Sequence, residues 1–397
     1  MSSSDPAVGA RVVLKPGRES PARKWHHPWI YSQAVAEAPG ASSTTDVLPV
    51  FAADGSPVGW GFYSPASLIA IRMVSFTPER PAAGWAEART AAAHALRAAL
   101  HLDTDSFRIV NAEGDFLPGL IVDLYGDTAV MTAHVRGAED QAERIAACLQ
   151  DIQPGVRVYF KRDEHYARVE GLARTSGYIT GAGDGCCIIR EGAVRIIVDY
   201  QGGQKTGFYL DQRENRRLIA RSSTGRRLLN LFSYTGAVAL AAAAAGASQV
   251  VSVESSRRAN ELAKESLGLN PALAKCSLEW VQADVFSFLE AGGTHDIVVA
   301  DPPPFARRRA ELHGAVQGYL SLFQQCLRIL VPGGLAFLFS CSGAVDKPMF
   351  RDIVMEASRR SGREVRLLRE LHADVDHPVA VTHPEGEYLK GWMLHAE

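Results

Sequence analysis

The spacing of apolar and polar positions divides the chain into three stretches of different rhythm. Up to residue 76, short apolar runs at 11–14, 47–51, 57–63 and 68–74 are separated by Gly and Pro turns. That pattern predicts a small β-rich domain over residues 1–76. Pro49 lacks an N–H, so the second run is expected at a sheet edge. From about residue 82 the period lengthens. Residues 85–102 are Ala-rich with helical spacing, followed by strand-like runs at 107–110 and 119–125, a helix over 140–151 and a strand over 156–160. This alternation predicts a central α/β domain over residues 77–190.

The third stretch, residues 191–397, repeats strand and helix. Its strand cores are 227–231, 249–253, 278–281, 297–300 and 335–339, with the clearest helices at 237–245 and 257–267. Apolar strands separated by helices imply a mostly parallel sheet covered on both faces. The fold class is therefore α/β, with a Rossmann-like domain preceded by a β-rich domain and a central α/β domain.

Composition changes this picture little. At 397 residues the chain exceeds the roughly 250 that a single core supports. A net charge of -2 argues against indiscriminate nucleic-acid binding but permits a local basic surface. No run reaches the roughly 18 apolar residues of a membrane span, so no membrane partner is expected. The N-terminus has no basic region leading into an apolar one, and a cytoplasmic location is expected. The six cysteines are scattered without CxxC pairs, so no metal site is expected.

Ligands of parallel sheets bind outside the carboxyl ends of the strands. After the first strand comes Phe232-Ser233-Tyr234-Thr235-Gly236, where Gly236 would let the backbone approach a ligand. Glu254 ends the second strand, eighteen residues on, where a carboxylate can accept both hydrogen bonds of a ribose diol. Asp284 follows the third strand, and Asp301-Pro302-Pro303-Pro304-Phe305 the fourth. Each alone is as easily a cap or a turn; together, and without a GxGxxG phosphate loop, they favour a nucleoside ligand without pyrophosphate. S-adenosylmethionine fits, and an NAD enzyme is disfavoured.

Asp301 is suited to accept from an exocyclic amine such as cytosine N4. Cys341, in Ser340-Cys341-Ser342 after the fifth strand, opens at the same edge. A thiolate adding to carbon 6 of a pyrimidine would make carbon 5 nucleophilic toward a methyl donor. A small buried cysteine accounts for the same residue equally well.

These residues resemble the bacterial large-subunit ribosomal RNA cytosine-5 methyltransferases that carry an N-terminal PUA domain. The matching stretches include His27-Pro28-Trp29, Lys205 to Arg213, Phe232 to Gly236, Ser340 to Gly343, Asp376-His377-Pro378 and Pro384 to Gly391. The resemblance implies a PUA domain, a central α/β domain and a class I methyltransferase domain, with S-adenosylmethionine as cofactor. It implies that Phe208, Tyr209, Asp211 and Arg213 border the cofactor site. It also implies that Asn230, Phe232, Ser233, Tyr234, Thr235, Gly236, Glu254, Asp284 and Asp301 serve the cofactor, and that Cys341 is the nucleophile. Glu385 resembles the proton-removing acid of related uridine-5 methyltransferases. Pro304 departs from the lysine usual in the family, and Arg307, Arg308 and Arg309 are candidates to replace that charge.

The expected partner is RNA, from the large ribosomal subunit by resemblance, with a homodimer left open. Lys24-Trp25-His26-His27-Pro28-Trp29, with Arg18 and Arg23, offers stacking surfaces and cations for looped RNA. A buried aromatic cluster would use the same tryptophans. Two other functions stay open: methylation of an exocyclic base amine, which needs no cysteine, and RNA binding without catalysis.

Overall fold

The computed structural model describes residues 10–40, 47–306 and 311–397. It forms two compact units. One comprises residues up to Cys187 together with Asp199–Phe208 and Val375–Gly386; the other comprises Ile188–Val198, Tyr209–Asp374 and Glu387–Glu397. The boundary expected after residue 190 falls within a pair of strands, Cys186–Glu191 and Val194–Asp199.

The first unit holds two sheets. A six-stranded sheet runs in the order Trp29–Tyr31, Ile69–Ser75, Pro57–Tyr63, Leu48–Phe51, Val12–Leu14, Val35–Glu37. Val12, Leu14, Val50, Val58 and Ile71 are among its buried core. Leu48–Phe51 is thus interior, contrary to the edge position that Pro49 suggested. The sheet tolerates the proline because pairing with Val12–Leu14 starts one residue later, at Val50 opposite Val12. Pro49 thus stands before that parallel ladder begins, while on the other side it is opposite Trp60.

The second sheet has the order Gly177–Thr180, Arg157–Phe160, Thr128–Ala133, Leu120–Tyr125, Ser106–Asn111. Helices Trp85–Ala99 and Ala142–Ile152 cover it, burying Ala93 and Ile145 against Val110, Val122 and Met131. Two buried ion pairs cross-link this layer: Arg97 with Asp115 at 2.5 Å and Arg108 with Asp123 at 2.7 Å. The motif Asp376-His377-Pro378 serves the same frame. Asp376 accepts from the Arg108 N–H at 2.9 Å, and Arg97 donates to the Asp376 carbonyl at 2.8 Å.

The second unit is built on a seven-stranded sheet. Its strands are β1 (Arg227–Leu231), β2 (Gln249–Glu254), β3 (Ser277–Gln282), β4 (His295–Ala300), β5 (Leu330–Ser340), β6 (Val365–Leu371) and β7 (Lys390–Ala396). The spatial order is β3-β2-β1-β4-β5-β7-β6. The first five are parallel, and β7 is antiparallel to both β5 and β6. Strand order reverses at β1, so the loops after β1 and β4 open side by side at the carboxyl edge, where a crevice forms. Among the described residues no helix is long and apolar enough to cross a membrane.

Candidate active site

The loop after β1 is strained. Phe232 and Tyr234 adopt φ of 57° and 46°, and Gly236 follows at 76°. Positive φ at bulky residues costs of order 1–3 kcal/mol each and persists where the surroundings enforce it. Glu254 at the end of β2 supplies part of that enforcement. Its carboxylate accepts from the Tyr234 N–H at 2.9 Å and from the Ser256 N–H at 2.8 Å, fastening the first loop to the second. Gly236 is required for a reason other than ligand approach: a Cβ there would stand 2.5 Å from the Trp280 ring. Trp280, on β3, is a site neighbour that sequence reasoning missed.

Three polar atoms on β1 and the loop after it lack partners. Asn230 Nδ2, Ser233 Oγ and Thr235 Oγ1 are buried and make no hydrogen bond. Buried polar groups are rarely left unpaired, because each costs about 1–3 kcal/mol. A polar ligand lying across the β1 loop would satisfy them, so the residues present fit a nucleoside cofactor. Asp284 takes a more local role, accepting from the Ser287 N–H at 2.9 Å as the N-cap of helix Val285–Glu290.

The Tyr209 to Arg213 segment ties together the loops at the carboxyl edge of the sheet. Gln212 donates to Asp301 at 2.8 Å and its own amide oxygen accepts from Asn215 at 2.7 Å. Asp211 accepts from the Tyr388 hydroxyl at 2.5 Å. Arg213, fully buried, pairs with buried Asp374 at 2.7 Å. The Tyr209 ring meets Tyr234 edge-on with centroids 5.3 Å apart, and burial followed by the Asp301 charge pushes its phenol well up. Phe208 is buried and belongs to the first unit.

Cys341, just past β5, sits beside the loop after β4: its thiol donates weakly to the Pro302 carbonyl at 3.9 Å. Ser342 holds the two loops together by donating to the Ala306 carbonyl at 2.8 Å. Lys390, the first residue of β7, is buried and donates to the carbonyls of Ser342 at 2.9 Å and Tyr388 at 2.6 Å. Burial lowers its pKa to about 8, against an upward pull from Cys341. A buried cation beside Cys341 was not anticipated, because nothing in the local sequence says that Lys390 points inward. Arg307, Arg308 and Arg309 lie outside the described residues.

Glu385 is placed in the first unit and Cys341 in the second. The Glu385 carboxylate bonds to His27 Nε2 at 3.1 Å. Burial raises its pKa, but its own backbone N–H and His27 outweigh that and hold it below the usual range. The tryptophans divide. Trp29 is half-buried, donating to Glu113 at 2.7 Å, whereas Trp25 is 63% exposed with the Lys24 ammonium 4.9 Å from its ring centre.

A family model described as S-adenosylmethionine-dependent methyltransferase matches residues 172–384, and one described as a PUA-like domain matches residues 12–76. The protein called ribosomal RNA large subunit methyltransferase I in Escherichia coli O139:H28 is 36% identical over 393 residues, spanning 97% of this chain and 99% of that protein. A solved structure assigned as a methyltransferase and complexed with S-adenosylhomocysteine superposes with a TM-score of 0.84 at 22% identity. Another, assigned as an S-adenosylmethionine-dependent methyltransferase from Streptococcus mutans, gives 0.82 at 22%. Each covers 97% of this chain and 100% of the other.

Proposed function

Because the chain belongs to the S-adenosylmethionine-dependent methyltransferase family, we propose that it forms 5-methylcytosine in large-subunit ribosomal RNA through a covalent bond to Cys341. The observation that carries this reading is the Cys341 thiol resting 3.9 Å from the Pro302 carbonyl, next to Asp301. A nucleophile and a base-edge acceptor thus share one crevice, which methylation of an exocyclic amine would not require.

S-adenosylmethionine supplies an electrophilic methyl group when bound. In the proposed sequence the Cys341 thiolate adds to carbon 6 of the cytosine, forming an S–C bond and placing electron density on carbon 5. Asp301, oriented by Gln212, accepts from the N4 amine and holds the ring against the thiol. Once carbon 5 bears the methyl group, a water molecule takes the carbon-5 proton, and the electron pair of that C–H bond re-forms the 5,6 double bond and expels the Cys341 thiolate. Lys390, while protonated, stabilises that thiolate at both ends of the sequence. Asn230, Phe232 to Gly236 and Glu254 hold the cofactor, with Asp284 keeping the third loop in place. Glu385 is not given the proton-removal step: its carboxylate is engaged by His27, and a depressed pKa makes it a weaker base.

RNA must present the base unstacked. Exposed Trp25, with Lys24 next to it and Arg18 seven residues before it, supplies a stacking face and cations for that purpose. The test is mass-spectrometric mapping of ribosomal RNA from cells with and without the gene, paired with trapping on 5-fluorocytosine RNA. A methyl group on carbon 5 and a denaturation-resistant complex are expected. Methylation without any trapped complex would shift the assignment to an exocyclic amine.

A further inference from the structure

We propose that His27, His383 and Glu385 form a binding site for a divalent transition-metal ion in the first unit. Among the described residues this is the one grouping of three such side chains whose ligand atoms all lie within 4.8 Å of one another. Glu385 Oε2 is 3.1 Å from His27 Nε2 and 3.1 Å from His383 Nδ1. Ligands at about 2.0–2.2 Å from a tetrahedral ion stand about 3.3–3.6 Å apart, so two of the three separations need to open by only a few tenths of an ångström.

The second observation concerns His383. Its side chain is only 5% exposed, and although Nδ1 is close to Glu385, the geometry is not that of a hydrogen bond; the nitrogen has no other partner. An unsatisfied buried nitrogen costs about 1–3 kcal/mol and calls for an explanation. An ion seated between the imidazole and the carboxylate provides one, taking the Nδ1 lone pair that Glu385 does not meet.

The ligands are held in advance. The His383 ring packs edge-on against Trp29 with centroids 4.3 Å apart. Trp29 is fixed in turn by its bond to Glu113, which also accepts from Arg72 at 2.8 Å. His27 Nδ1 faces the backbone of Trp29, 3.2 Å from its N–H and 3.3 Å from its carbonyl. Without metal, the N–H donates to Nδ1 and the Nε2 proton goes to Glu385. With metal on Nε2, the proton moves to Nδ1 and is donated to the carbonyl, the usual outer bond of a ligating histidine. Two histidines and one carboxylate, with Glu385 still 39% exposed, leave room for water as a fourth ligand. The ion would fasten the segment Val375–Gly386 to the N-terminal strands, coupling metal binding to the stability of this unit.

The experiment is Zn2+ titration by calorimetry on the full, tag-free chain after chelator dialysis, with Co2+ absorption as a second readout. One equivalent is expected to bind, with a raised melting temperature and the visible bands of tetrahedral cobalt. His383→Phe, which keeps the ring on Trp29, and Glu385→Gln should each weaken affinity at least about ten-fold. Uptake and cobalt bands unchanged in both variants, or no uptake by the wild-type chain, would overturn the proposal.

Discussion

Cys341 and Lys390 are linked through one peptide unit: the Lys390 ammonium donates to the Ser342 carbonyl at 2.9 Å, one residue beyond the thiol. A buried cation is thereby held beside the side chain proposed as the nucleophile.

Removing the proposed nucleophile tests the chemistry directly. Cys341→Ala should lower methylation by at least about a thousand-fold while S-adenosylmethionine binding, followed by calorimetry, is unchanged. Activity within ten-fold of wild type would eliminate the covalent route.

The cation predicts a pH signature. Below about pH 8 Lys390 is charged and favours the thiolate; as pH rises through about 8 it loses its proton and that support fades. Alkylation of Cys341 by iodoacetamide should therefore rise less steeply with pH above 8 than a simple thiol would. Lys390→Met should slow it about ten-fold at pH 7. Identical profiles for the two proteins would remove Lys390 from the mechanism.

Gln212 offers a positioning test. Its bond to Asp301 at 2.8 Å is made from a buried side chain. Gln212→Leu should reduce kcat roughly ten- to hundred-fold, with cofactor affinity little changed. A loss confined to cofactor affinity would place Gln212 in the cofactor site instead.

His134 sets an acid limit on the first unit. Its ring stacks on Tyr166 with centroids 3.9 Å apart, and burial lowers its pKa to about 4. The unfolded chain binds a proton near pH 6.5 that the folded one refuses, so stability rises with pH between 4 and 6.5 and is lost on acidification through that window. The effect is at most about 3 kcal/mol. His134→Phe, which keeps the stack, should flatten the urea midpoint between pH 6.5 and 4.5 relative to wild type; parallel slopes would contradict the assignment.

Much of this was legible along the chain. Residues 227–231 and 249–253 read as strands because they are rich in Leu and Val, which are buried on both faces, and both are observed. Thr128–Ala133 went unread, since its Thr and Ala residues are buried by the surrounding sheet without an apolar pattern of their own. The acids at the strand ends were visible as a series, but not that Glu254 spends its oxygens bracing the first loop, nor that Asp284 caps a helix.

What the sequence determined by itself is therefore what depends on neighbours in the chain: apolar rhythm, turn residues, and the order of acids and Cys341 after successive strands. Tertiary structure decided whatever depends on segments far apart in number. It seated Lys390 beneath Ser342, Trp280 against Gly236, and His383 and Glu385 beside His27. Those meetings have no local signal, because burial and orientation come from the packing of the whole sheet, which no single stretch encodes.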